Sequence, residues 1–108
     1  MDFELRIIAD CPNSDPAGEL YRRALEAEGL DAGDLRIREL ASDEEARELA
    51  FHGSPTFVVS GRDLFASAAE PALSCRVYPA PEGFAGLPSL EDLRAALRDA
   101  GETGPVAQ

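Results

Sequence analysis

Lysine is absent from this chain of 108 residues. Its 10 basic residues are all arginine and face 21 aspartates and glutamates, for a formal charge of −11. An acidic surface of this strength repels nucleic acid and anionic lipid, so both are discounted as partners. The missing lysine, beside abundant Ala, Arg, Glu and Gly, fits GC-rich coding or adaptation to high salt and does not bear on activity. No apolar run approaches the ~20 residues that a membrane span needs. The start, Met1-Asp2-Phe3-Glu4, carries no basic segment and no apolar h-region, so no signal peptide is expected and a cytoplasmic protein is. Histidine occurs once and cysteine twice. No residues have the spacing of a zinc site, a phosphate loop or a Ser-His-Asp triad, and no cofactor is expected. In a reducing compartment two cysteines are reactive or buried rather than a permanent staple.

What is present reads as one α/β domain over residues 1–101, followed by a disordered tail at 102–108. Phe3 to Ala9 is a strand apolar on both faces, as a central parallel strand is. Asp15-Pro16 opens a helix whose stripe is Leu20, Ala24 and Leu25, and Gly29 ends it. A start as far back as Pro12 or Asn13 also fits the pattern. Leu35 to Leu40 is a half-buried strand. Ser42 and Glu45 form a capping box for a helix over 43–51. Thr56 to Val59 is a short apolar strand, with a turn at Ser60-Gly61. Asp63-Leu64-Phe65 reads either as a return strand or as a packed loop. Cys75 to Tyr78 has the composition of a strand. Residues 79–88, with three prolines and two glycines, read as loop. Ser89 caps a last helix with the stripe Leu90, Leu93, Ala96 and Leu97, ending at Gly101.

The expected order is β-α-β-α-β-β-α, a mixed sheet with helices on both faces, and right-handed crossover makes the first two strands parallel neighbours. This is the thioredoxin-like arrangement. It places Cys11 at the end of the first strand and Ser54-Pro55-Thr56 at the start of a later one.

Cys11 is the expected nucleophile. Near a helix N-terminus, unpaired N–H groups and the macrodipole favour thiolate over thiol, while Asp10 and Asp15 oppose it. Taken alone, it reads as readily as an inert cysteine ending a strand. Pro55, combined with Cys11, is expected to follow a cis bond that turns the Ser54 N–H and C=O toward an extended substrate. Ser14 stands where a C-x-x-C motif has its second cysteine. It either hydrogen-bonds the Cys11 thiolate or caps the helix. Cys75 is the only other thiol. It either resolves a mixed disulfide at Cys11 or fills the core as a small hydrophobe, with Arg76 the one neighbour able to activate it. A simple hairpin between 56–59 and 75–78 would carry Cys75 away from Cys11, so residues 61–74 must redirect the chain if the two pair. His52 reads as a capping or solvent-facing residue rather than a proton donor.

Cys11-Pro12-Asn13, Gly53-Ser54-Pro55-Thr56, Gly61-Arg62-Asp63-x-Phe65 and Leu73-Ser74-Cys75-Arg76-Val77-Tyr78 together resemble a group of small bacterial thioredoxin-like proteins, the DF family of proteins and selenoproteins. The likeness spans most of residues 3–98. Some members carry selenocysteine in place of Cys11, and some relatives are alkylmercury-lyase-like. The resemblance implies redox or nucleophilic work at position 11, with Pro12, Asn13 and the Ser74-Cys75-Arg76 segment in the site. Two positions depart from it. Ser14 replaces an aromatic, and Asp63-Leu64-Phe65 replaces Asp-Pro-Phe. The Cys-x-x-Ser spacing is also similar to monothiol glutaredoxins, but Asp10 stands where they carry lysine, and their glutathione motif is missing.

The expected function is a single-thiol oxidoreductase. Cys11 attacks a disulfide, sulfenate or peroxide on a protein or small molecule. The alternatives are a thiolate site for a soft metal of the mercury type, and a redox-inactive fold kept for protein contact.

Overall fold

The computed structural model describes residues 2–65, 71–74, 76–80 and 83–102. Strand β1 (Phe3–Ile8) leads into helix α1 (Ser14–Ala27), and a turn of 3-10 helix at Ala32–Asp34 precedes β2 (Leu35–Leu40). Then come α2 (Asp43–Glu48), β3 (Thr56–Val59), β4 (Arg62–Asp63), β5 (Tyr78–Ala80), β6 (Gly83–Ala85) and α3 (Leu90–Glu102). The molecule is thus α/β, with three helices about a four-stranded mixed sheet of order β2-β1-β3-β4. β1 pairs in parallel with β2, as a β-α-β crossover requires, and antiparallel with β3, which pairs antiparallel with β4.

Alternation along β1 divides the core. Phe3 and Leu5 pack on one face with Tyr21, Ala24 and Leu25 of α1 and Leu93 and Leu97 of α3. Ile8 faces the other way, toward Leu40, Ala46 and Phe51 around α2. Rings knit the larger layer. Phe57 meets Tyr21, Phe65 and Tyr78 edge-on, with centroids 5.3, 6.2 and 5.9 Å away. Such pairs add roughly 0.5–1.5 kcal/mol each beyond area burial. The Tyr21 hydroxyl, taken out of water, donates to the Val58 carbonyl at 2.7 Å. At the far end of α1, Glu28 accepts from Arg94 at 2.7 Å and Arg98 at 2.8 Å, tying α1 to α3. The Arg94 hydrogen bond is the main reason its carboxyl is held below the ordinary glutamate range.

The structure corrects the sequence reading in three places. α2 stops at Glu48, with Leu49 as its cap, instead of running to 51. Ala50 there takes φ +53°, closing the helix in the left-handed conformation usually given to glycine. The fourth strand of the sheet is β4, the return strand. Residues 76 and 77 are not in a strand, and Tyr78 opens a separate hairpin with β6 inside the stretch expected to be loop. The prolines at 79, 81 and 88 and the glycines at 83 and 86 leave no apolar alternation in the sequence to mark this hairpin. Cys75 and the tail beyond residue 102 lie outside the described residues. No helix among the described residues is long and apolar enough to cross a membrane.

Candidate functional site

β1 ends at Ile8, and the chain reverses at once. Asp10 takes φ +60°, a left-handed turn that aspartate tolerates better than most residues. The Cys11 N–H closes this turn on the Ile8 carbonyl at 3.4 Å. The Cys11 carbonyl in turn accepts from the Ser14 N–H at 3.1 Å, so Cys11 stands one turn ahead of α1. Ser14 is the first residue of the helix and not its cap. Asn13 is the N-cap and makes no side-chain cap hydrogen bond. Pro12 is exposed, Asn13 and Ser14 are half-buried, and Cys11 is only 9% exposed. The thiol therefore stands beside the first turn of α1, but the residue itself is largely covered.

Gly86, which the sequence reading passed over as loop, lies against this turn. A Cβ added there would fall 2.3 Å from Asn13 Nδ2, so a larger residue at this position would have to displace the Asn13 side chain. Nothing but its place among prolines marked it in the sequence.

The second expected element comes to the same end of the sheet. The Ser54-Pro55 bond is cis. Ser54 Oγ accepts from the Ile8 N–H at 3.2 Å, which fixes the Ser54-Pro55-Thr56 segment to the strand end that leads into Cys11. All three residues are fully buried.

What buries them is the chain itself. The Ser54 N–H donates to the Ser74 carbonyl at 2.7 Å, and the Ser54 carbonyl accepts from the Arg76 N–H at 3.0 Å. The Ala72 N–H donates to Phe51 O at 3.1 Å, and the Tyr78 hydroxyl donates to Pro55 O. The sequence reading offered Ser54's main-chain groups to a substrate; here both are paired with the segment 74–76. A simple hairpin would have carried Cys75 to the far end of the sheet unless residues 61–74 redirected the chain. The Cys75 neighbours Ser74 and Arg76 are instead bonded to Ser54, at the Cys11 end of the sheet, while Cys75 itself lies outside the described residues.

Arg76 is 8% exposed, and its side chain is fully engaged. Nη1 donates to Asp63 Oδ2 at 2.8 Å and to Thr56 Oγ1 at 3.2 Å, Nη2 donates to the Phe65 carbonyl, and the guanidinium lies 4.9 Å from the centre of the Tyr78 ring. It ties the segment around residue 76 to β3 and β4. Asp63 and Tyr78, neither of them foreseen as site residues, hold it. Burial drives Tyr78 well above the ordinary tyrosine range, and Asp63 adds to this while Arg76 opposes it.

An open pocket of about 430 Å³ lies on the sheet face that carries α2, lined by Arg6, His52, Thr56, Arg62 and Asp63 among others; Cys11 is not one of its lining residues. Arg6 is spoken for by Glu4 at 2.5 Å and by Leu49 O at 3.3 Å. His52 is half-buried, and its Nδ1 is enclosed without a hydrogen-bond partner among the described residues. No cluster of three or more His, Cys, Asp or Glu side chains able to hold a metal occurs among the described residues. No family model, no curated protein and no solved structure matches this chain.

Proposed function

We propose that this chain is a thioredoxin-like thiol–disulfide redox protein in which Cys11 is the attacking thiol and Cys75 the resolving one. One observation carries the reading. Ser54 is bonded on one side to Ile8, three residues before Cys11, and on the other to Ser74 and Arg76, the two neighbours of Cys75. The strand leading into one cysteine and the segment containing the other thus converge on a single buried serine. The parallel β1–β2 pair, the antiparallel β3 beside it and the thiol ahead of α1 support the same fold reading.

The chemistry balances with a disulfide as oxidant. Cys11 thiolate attacks one sulfur of R–S–S–R′, forming Cys11–S–S–R and releasing R′–S⁻. Cys75 thiolate then attacks the Cys11 sulfur, forming the Cys11–Cys75 bond and releasing R–S⁻. The substrate gains two electrons, the protein loses two, and a thiol reductant restores it. The place of Cys11 one turn ahead of α1 supports it as the attacking thiol. Ser14, Pro12 and Asn13 shape the turn that presents it.

Peptide mapping after oxidation with a small disulfide tests the scheme. A Cys11–Cys75 disulfide in monomeric protein is expected. Cys75→Ser is expected to trap a mixed disulfide on Cys11, and Cys11→Ser to abolish turnover. Stoichiometric mercury uptake by both thiols without turnover would replace this reading with the soft-metal one. Adducts on Cys75 alone would overturn the assignment of Cys11.

A further inference from the structure

We infer that the substrates are small disulfides and that extended polypeptides are excluded from the Ser54-Pro55-Thr56 segment beside Cys11, because the chain's own Ala72, Ser74 and Arg76 occupy the main-chain positions on which an incoming strand would pair. The inference rests on the redox reading above and specifies its substrate class. A peptide is recognised as an added strand through the N–H and C=O groups of a free edge. At the Ser54-Pro55-Thr56 segment beside Cys11 no such edge is open among the described residues. β3 lies between β1 and β4. Ahead of it, the Ser54 N–H and carbonyl are taken by Ser74 at 2.7 Å and Arg76 at 3.0 Å, and the Phe51 carbonyl by Ala72 at 3.1 Å.

This occupant is not loosely laid on. Withdrawing it would pull the buried Arg76 guanidinium away from Asp63, Thr56 and the Phe65 carbonyl, leaving charges unpaired in the interior. It would also break the Tyr78–Pro55 hydrogen bond. Gly53 fits against it so closely that an added Cβ would lie 2.8 Å from Arg76 Cβ. The thiol points to the same conclusion independently. Cys11 is largely covered, at 9% exposure, which leaves little surface around it for a polypeptide to lie against.

The test is turnover by the full chain, with a small dithiol as reductant, of bis(2-hydroxyethyl) disulfide and of a disulfide-linked dimer of a short uncharged peptide. Each rate is normalised to the same disulfide's reaction with a free thiol. The small disulfide is expected to be favoured in kcat/KM by roughly a hundredfold, the cost of losing productive placement. Amide exchange at Ser54 and Arg76 is expected to remain slow when the reduced peptide is present in excess. Comparable turnover of the two disulfides, or loss of protection at those amides on adding peptide, would overturn the inference and leave the redox reading standing. Turnover of neither would overturn both.

Discussion

A Cβ built on Gly53 would meet Arg76 Cβ at 2.8 Å and Arg76 Cα at 3.2 Å. Gly53 also has φ +118°. Two separate reasons therefore demand glycine at this position, and they can be measured apart. Gly61 has φ +82° and nothing within 4 Å of its notional Cβ. Gly61→Ala is expected to cost roughly 1–2 kcal/mol, the left-handed penalty alone. Gly53→Ala is expected to cost roughly 1–3 kcal/mol more, from forced displacement of the residue 76 main chain. Urea midpoints for the two variants give the difference. Equal losses would mean that the 74–76 segment yields easily.

Ala50 explains both a failure of the sequence reading and a route to a more stable protein. The capping box at Ser42 was legible, and the Glu45 N–H does donate to Ser42 Oγ at 3.1 Å. The end of α2 was not legible, because Ala50 takes φ +53° with no glycine to mark it. Ala50→Gly is expected to stabilise by about 0.5–1 kcal/mol, relief of the left-handed strain outweighing the added freedom of the unfolded chain. A higher urea midpoint with an unchanged slope would confirm it.

The same contrast runs through the rest of the molecule. β1, β2, β3 and α3 follow from periodicity and caps, which are local properties, and α1 from its periodicity alone, since its N-cap is Asn13 and the expected cap Asp15 lies inside the helix. The turn at Cys11 and the Ser54-Pro55 segment were found because cysteine and proline carry their own chemistry. The lacing of residues 72–78 onto 51–56 was not found, because it is made by long-range pairing. Nothing near Arg76 in sequence shows that Asp63, Thr56 and Phe65 will surround it. A lone arginine beside a cysteine therefore read as the neighbour able to activate that thiol, whereas its side chain is an internal tie.

That tie is itself testable. The Arg76 and Asp63 side chains are 7% and 18% exposed and 2.8 Å apart. Arg76→Ala is expected to cost about 3–5 kcal/mol, because it strands the Asp63 carboxylate. Asp63→Asn keeps an acceptor and leaves the Thr56 and Phe65 contacts in place, so a smaller loss of about 1–3 kcal/mol is expected. Both losses are expected to change little with added salt, since the pair is shielded from the ions that screen surface charges. A loss from Arg76→Ala that vanishes in high salt would identify a surface pair instead.

The two tyrosines of the chain set its alkaline limit. Burial raises both phenols well above their ordinary value of 10.0, with Glu4 adding to the effect at Tyr21. The sign follows directly. The folded state keeps its phenolic protons where the unfolded chain releases them, so the stability is fully present below pH 10.0 and is lost as pH rises above it. The expected slope is about 1.4 kcal/mol per tyrosine per pH unit. With no tryptophan in the chain, near-ultraviolet absorbance reports phenolate cleanly. Phenolate is expected to form in step with unfolding measured by circular dichroism. Phenolate forming near pH 10.0 in folded protein would show that the hydroxyls of Tyr21 and Tyr78 are open to water.

On the proposed redox reading, charge is expected to add a second selectivity among small disulfides. The chain carries −11 overall, and the residues nearest Cys11 in sequence that bear charge are Asp10 and Asp15, both exposed. A field of that sign concentrates cations at the surface and depletes anions. Cystamine, a dication, is therefore expected to oxidise the protein faster than oxidised glutathione, a dianion, by on the order of tenfold in low salt. Each rate is taken relative to the same disulfide's reaction with an uncharged free thiol, which removes intrinsic differences in leaving group. Raising the ionic strength shortens the screening length to about 8 Å at 0.15 M and about 3 Å at 1 M, so the gap is expected to close as salt is added. A faster reaction with the dianion would reverse the argument. It would mean that the field at the thiol is set by nearby arginines, and not by the acidic surface or by Asp10 and Asp15. Arg62, exposed on β4 and lining the pocket beside Thr56, would be the first side chain to replace.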